Sequence, residues 1–470
     1  MGGDARLHVS EFLRRLGEAH RAGHFEKRDE VLHLHTHCIP RWLRSKTFVG
    51  RDETSASTTS GMAFTRDAPR PRRDLPRTGL GGRDFLLLLA ASAGAFSNYA
   101  PMLSVVPLWS AAGGSGSAGV GAATSVTMGA TVAVQLAMPW LLRRCGLQAV
   151  FATGAVLLGA PTLAYLASSG VAWVLAVSAV RGAGFGMVAV AGSTLVAELV
   201  GKDQRGRAVG WYGVAVGLPQ VVCLPLAVWG VERFGFVPVF VLTTAVSLAA
   251  APVIRAVKGG TGGRTPPCSA VRPQRTRPRW RPLVSPGTVL LTAACALGGV
   301  TSFLPLALAG SSLAATALFV LSSAVVAGRW GAGRLSDRLG PGRLLAAGVV
   351  ACAAGVGGFA AAVAGVSPAG VAMAAAVVYG LGFGALQNDT LVLMFARVDA
   401  NGSGLAGTAW NMAYDAGTGI GAAAVGLLSG AVSLAGAFTA TAIVILASTP
   451  LAWFGTRASP RRGDACTRRR

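Results

Sequence analysis

Four ionisable residues stand where the sequence gives them little polar company. Asp415 lies in TAWNMAYDAGTGIG, Asp389 in LQNDTLVL, Glu198 in STLVAELV and Arg181 in AVRGAGFG. A charge at the centre of a membrane helix costs roughly 2.5–3.5 kcal/mol on insertion scales, so it normally faces a partner or a cavity. A carboxylate so placed can take up and release a proton according to which side water reaches it from. The apolar runs hold no Lys or His. A proton carrier would therefore be one of Asp415, Asp389 and Glu198, with Asp415 first because small residues surround it. Arg181 is a candidate for solute binding or proton coupling. The plainer readings are a structural hydrogen bond between helices, worth about 0.6 kcal/mol, and for Arg181 a side chain that snorkels to an interface. Asn98, Tyr99, Gln135, Gln387, Asn388, Trp410 and Asn411 are the polar residues that could line a shared cavity.

The elements that must position these residues are apolar helices. The 470 residues are 52% hydrophobic and 13% charged, about half the charge of an average soluble chain. Ten of the nineteen acidic residues, and all six histidines, precede Asp84. Beyond it come runs of the roughly 20 residues that cross a bilayer core. The 64 glycines fit closely packed membrane helices, where small residues let backbones approach. The expected spans are 84–109, 119–142, 147–168, 171–197, 206–230 and 235–257, then 286–309, 312–331, 343–366, 369–395, 403–430 and 433–454. The expected fold is an all-α polytopic membrane protein of twelve transmembrane helices in two pseudo-symmetric six-helix halves.

Basic residues confirm the parity. Arg143, Arg144, Lys202, Arg205, Arg207, Arg334, Arg338, Arg343 and Arg397 fall between even-numbered spans and the next, as do the basic residues of the segment joining the halves. The remaining connections hold one, Arg233, next to Glu232. The positive-inside rule then puts both termini and the middle segment in the cytoplasm, which requires an even number of spans. The formal charge of +23 is explained by this topology, and no nucleic-acid partner is expected because no surface interleaves aromatic and basic residues. The segment 258–285 is a Gly/Pro/Arg linker between halves 84–257 and 286–455, and 456–470 is a basic tail.

The halves repeat. A shift of 198 residues lays Pro107-Leu108 on Pro305-Leu306, Gly182, Gly184, Phe185 and Gly186 on Gly380, Gly382, Phe383 and Gly384, and Gly206 and Ala208 on Gly404 and Ala406. At a slightly shorter offset Arg144-Cys145-Gly146 falls on Arg338-Leu339-Gly340.

Between the eighth and ninth spans runs Gly333-Arg334-Leu335-Ser336-Asp337-Arg338-Leu339-Gly340-Pro341-Gly342-Arg343. It resembles the G-x-L-x-D-R-x-G-R-R loop of the major facilitator superfamily. The resemblance covers about residues 84–455 and implies alternating access at a site between the halves. It also implies a gating role for Gly333, Asp337, Arg338, Gly340 and Arg343, a latch biasing one of two rocking states; the plainer reading is a positively charged tight turn. The first-half copy, PWLLRRCG, has Arg143 where the pattern has Asp. The fourth span resembles the superfamily's Arg-plus-glycine motif, with Arg181 as its arginine. The fifth resembles the antiporter-associated glycine/proline helix but has Leu224-Pro225 in place of its Gly-Pro pair.

Residues 1–83 are read as a poorly ordered cytoplasmic extension with one amphipathic stretch from Val9 to Leu34. Translation from Met62 would leave only a short basic arm. His33, His35, His37 and Cys38 are metal-ligand types, but no second cluster completes a site, and the seven cysteines show no CxxC spacing. No metal and no cofactor are expected. A G-x-x-x-x-G-K-[ST] loop and a nucleophile elbow are both absent, which argues against an ATP-driven pump and an enzyme. The expectation is a monomeric secondary transporter of a small molecule in a bacterial cytoplasmic membrane, coupled to protons as an efflux antiporter. The Gly- and Arg-rich composition would suit a high-GC actinobacterium. Proton-coupled uptake or facilitated diffusion is the alternative, and a membrane sensor that binds without transporting is the remote one.

Overall fold

The computed structural model describes residues 80–201, 204–258, 280–308, 312–366, 368–398 and 403–457, and the N-terminal extension, most of the linker and the end of the tail lie outside them. Among the described residues the chain forms thirteen α-helices, one 3₁₀ turn and no strand. They are α1 (Arg83–Ala112), α2 (Ser117–Cys145), α3 (Leu147–Ala164), α4 (Val171–Leu199), α5 (Arg205–Phe234) and α6 (Phe236–Arg255). The second set is α7 (Arg281–Ala307), α8 (Leu313–Leu339), α9 (Leu345–Val363), α10 (Pro368–Ala396), α11 (Ser403–Ala431), α12 (Leu434–Ala447) and α13 (Thr449–Arg457). A 30-residue helix is about 45 Å long, enough to cross a bilayer with its headgroups.

Among the described residues eleven helices are long and apolar enough to cross a membrane, with α12 and α13 counted together. The exception is α11, whose 29 residues carry Asn411, Asp415 and seven glycines. It is nevertheless built into the bundle, packed against α2, α7 and α12. Its polarity belongs to the face it presents inward.

Several boundaries differ from expectation, most of all the end of α8, which continues to Leu339 rather than stopping at 331, so that 333–339 of the expected loop is helical. The seventh helix begins at Arg281 rather than 286, because Pro282 at its first turn has the fixed φ and the missing N–H that a helix start tolerates. The last span breaks at Ser448, whose hydroxyl donates to the Ile445 carbonyl at 2.7 Å, and Pro450 opens the short helix that follows.

Packing repeats as the sequence does. In the first half α1 packs on α5 and α6, α2 on α4, and α3 on α4 and α6; in the second, α7 packs on α11 and α12, α8 on α10, and α9 on α10 and α12. The G-x-G-F-G segments show why. A Cβ on Gly186 would lie 2.9 Å from the Thr131 carbonyl of α2, and one on Gly184 would be 2.7 Å from Gly154 of α3. Likewise a Cβ on Gly384 would meet Val325 of α8, and one on Gly382 would lie 3.0 Å from the Cys352 amide of α9. Alternate glycines thus let one helix approach two others.

Between the halves α2 lies along α11, α5 along α8, and α1 touches α7. The first two pairs are equivalent under the repeat.

Candidate functional site

The seam between the halves is closed at the end away from the basic loops. There Ser104 of α1 donates to the Thr301 carbonyl of α7 at 2.6 Å, and Thr124 of α2 lies 3.0 Å from the Ser302 hydroxyl. Gly121 of α2 abuts the Ala422 backbone, and Gly426 abuts Ser117. The other end is open. Positions 210, 213 and 217 in α5 and 407 in α11 are glycines whose added Cβ would meet nothing within 4 Å. Residues 139–145 of α2 are half-buried or exposed.

Where the closed part ends, near the middle of both helices, Gln135 of α2 donates its Nε2 to the Asp415 carboxylate of α11 at 2.7 Å. Both residues are buried, and the Gln135 Oε1 has no partner. Tyr99 of α1 completes the group: its hydroxyl lies in the electrostatic field of Asp415, Tyr414 and Arg181, and its ring stacks on Phe185 at 3.5 Å.

Arg181 sits inside the first half. Its Nη2 donates to Asn98 Oδ1 at 2.9 Å, its Nε to Thr162 Oγ1 at 3.0 Å and to the Leu158 carbonyl at 3.2 Å, and its guanidinium lies 5.6 Å from the Tyr165 ring centroid. With Tyr99, Thr124 and Thr127 it lines a cavity of about 10 Å³, room for roughly one water. Arg181 therefore reaches Asp415 only through Tyr99.

Asp389 stands apart from this group. It is fully buried and accepts from the Ser336 hydroxyl, the Gly342 amide and the Leu344 amide, each at 2.9 Å. Its carboxylate fastens the α8–α9 loop to α10. Gly340 and Gly342 have φ of +93° and +85°, a conformation other residues adopt only with strain, and this turns both amides inward. Arg338 and Arg343 are exposed and Gly333 half-buried; the Asp337 side chain lies outside the described set. In the first-half loop Gly146 has φ +77°, but position 191, equivalent to Asp389, is alanine.

Glu198 is exposed at the last turn of α4 and does not join either group. Trp410 donates to the Gln387 carbonyl at 3.2 Å and Thr390 Oγ1 at 3.1 Å, and stacks on Tyr414, which stacks on Phe383. Gln387 Oε1 and Asn388 Nδ2 are buried without partners, while Asn411 is exposed and donates to its own helix at Gly407.

Sequence reasoning passed over Arg329. It lies inside the predicted eighth span, 312–331, and acts electrostatically on Tyr414, beside Asp415. The available signal was a cation within an apolar run, four residues before the conspicuous basic loop. Gln220 of α5, which reaches the Tyr414 hydroxyl, was also missed.

Two parallel six-helix repeats meeting at a seam that holds a buried carboxylate define a multi-pass membrane transporter of the alternating-access kind. The Major Facilitator Superfamily model matches residues 85–422, and the chain belongs to that family. Among solved structures, the chain is similar to a bacterial homologue of the human lysosomal transporter Spinster in an inward-facing, unoccupied conformation (13% identity, TM-score 0.69, 80% of this chain and 97% of that one). It is also similar to a mutant of the peptide transporter POT (16%, TM-score 0.67, 82% and 97%) and to a mutant of the nucleoside transporter NupG (13%, TM-score 0.60, 80% and 99%). No curated protein sequence matches.

Proposed function

We propose that this transporter expels a small organic solute in exchange for protons, with Asp415 as the shared binding group. The observation that carries the reading is the Gln135–Asp415 hydrogen bond, which joins the two halves at the boundary between the closed and open parts of the seam. An ionised Asp415 accepts from Gln135; a carboxyl that has taken a proton, or that binds a solute's donor, no longer holds Gln135 in the same way. One carboxylate serving both ligands makes them compete, and competition at one site that faces the two sides in turn produces exchange. The unpartnered Gln135 Oε1 offers the solute an acceptor beside that carboxylate.

With the basic loops in the cytoplasm of a bacterial cell, the open end faces inward, ready to receive solute, and protons entering from outside drive it out. Both sides of the seam come from one chain, so a monomer suffices. Arg181, through Tyr99, biases the charge balance of the pair. Asp389 and the 333–343 loop hold the ends of α8, α9 and α10 in register, which makes the loop a latch on one rocking state rather than a proton site.

The test is pH-dye recording in proteoliposomes of known orientation with an acid-loaded lumen and a panel of drugs and metabolites outside. Luminal alkalinisation by a compound, abolished by Asp415→Asn, is expected. Luminal acidification would make the protein a symporter, and uptake with no pH change in either variant would remove proton coupling.

A further inference from the structure

We propose that Arg329 is an anion-recognition group, so that the solute is an aromatic molecule bearing a carboxylate or another oxyanion. This rests on the reading of the seam as the solute site.

On α8, positions 322, 325, 329, 332 and 336 share one helical face by their three- and four-residue spacing. Ser322, Ala332 and Ser336 on that face are buried, whereas the adjoining face, about 80° round the helix from Arg329, carries Phe319, Val326 and Trp330 at 49%, 49% and 65% exposure. Arg329 lies on the buried face and is nonetheless exposed. A residue exposed on an inward face looks into open space inside the bundle. Arg329 acts on Tyr414 of α11, which Gln220 of α5 also reaches, and Gly213, on the Gln220 face of α5, has empty surroundings, which places that space between α5, α8 and α11. The neighbouring helix brings a stack of rings: Trp410 on Tyr414 at 5.8 Å and 18°, and Tyr414 on Phe383 at 6.0 Å and 29°.

Among the described residues Arg329 makes no hydrogen bond and has no carboxylate partner; the group it acts on is the Tyr414 hydroxyl. Its planar fork of five donors is therefore unspent. While the seam is open, water solvates the cation. When the seam closes around cargo, that water leaves and the charge needs a partner. Asp415 is then taken by the solute's own donor, so the partner of Arg329 is a second, anionic group of the cargo. An oxyanion matches the fork in charge and geometry, and an aromatic body matches the ring stack.

The experiment measures binding to the purified full chain in detergent, by ligand-dependent thermal stability. It uses two matched probe pairs, indole-3-acetate with indole-3-acetamide, and naphthalene-1-sulfonate with naphthalene-1-sulfonamide. In the wild type the anion of at least one pair should bind roughly tenfold tighter than its amide. Arg329→Gln should erase the difference, Arg329→Lys should shrink it at least about threefold because the fork is lost, and Asp415→Asn should keep it. Equal behaviour of anion and amide in the wild type, including no binding by either, overturns the proposal, as does discrimination that survives Arg329→Gln. If Arg329→Gln is not monodisperse, the wild-type and Arg329→Lys comparison decides. The assay needs no flux, so anion discrimination without pH-coupled transport sinks only the exchange reading, and coupled transport without discrimination sinks only this one.

Discussion

Gln135 and Asp415 are 280 residues apart and belong to different halves, yet the amide nitrogen of one lies 2.7 Å from the carboxylate of the other. Beside it Gln220 of the first half reaches the Tyr414 hydroxyl of the second, so the halves meet at two neighbouring positions near the middle of the bundle. Gln135→Leu, which keeps the volume and removes the donor, should leave the protein folded, since an interhelical hydrogen bond in a membrane averages about 0.6 kcal/mol. It should also lower the rate of pH-driven exchange several-fold, because Asp415 loses the group that positions it. Initial rates in proteoliposomes, with detergent-extracted thermal stability as the control, check both parts. Unchanged exchange would remove Gln135 from the mechanism.

Asp389 predicts a different outcome. Asp389→Ala strands the Gly342 and Leu344 amides and the Ser336 hydroxyl, and uncompensated buried donors cost about 1–3 kcal/mol each. A stability loss of about 3 kcal/mol and faster proteolysis within 333–343 are expected, with pH coupling retained in the folded fraction. Lost coupling at wild-type stability would instead make Asp389 a proton site.

The closed end of the seam depends on Gly121, where a side chain would collide with the Ala422 backbone. Gly121→Val should hold that end apart and shift the population towards the state open there. A cysteine placed at Val120, now 2% exposed, in a background with the native cysteines replaced, should then label faster with an impermeant maleimide added at that face. Equal labelling rates would mean that the contact is not a determinant of the closed state.

Orientation can be read from Cys145, exposed at the basic end of α2. A variant retaining only this cysteine should react with impermeant maleimide in inside-out vesicles and stay protected in right-side-out cells. The reverse pattern would invert the topology.

Much of this was legible from sequence because it is local. Apolar runs mark the helices, and the parity of the basic loops agrees with twelve spans including α11, whose own apolarity falls short of the others because it carries Asp415 and seven glycines. The G-x-G-F-G repeat was visible, since a helix that touches two neighbours needs small residues at fixed spacing. Asp415 was legible as a carboxylate with nothing local to satisfy it. What was not legible is pairing across distance. Gln135 read as one cavity candidate among several, because nothing local ties it to α11. Asp389 looked like Asp415, since its three donors come from residues 45 to 53 positions earlier and two are backbone amides. Arg329 was hidden by its nearness to a basic loop, which offers a topological explanation for any arginine in the region.

The most direct test of exchange at Asp415 is the proton balance of binding itself. Purified protein in weakly buffered detergent, with a pH indicator, is mixed with a solute found in the proteoliposome screen. The wild type should release protons on binding, with the release vanishing at a pH where the unliganded site is already deprotonated, and Asp415→Asn should bind without release. Binding to the wild type that releases no proton at any pH, or release that persists in Asp415→Asn, would contradict competition between solute and proton at this carboxylate.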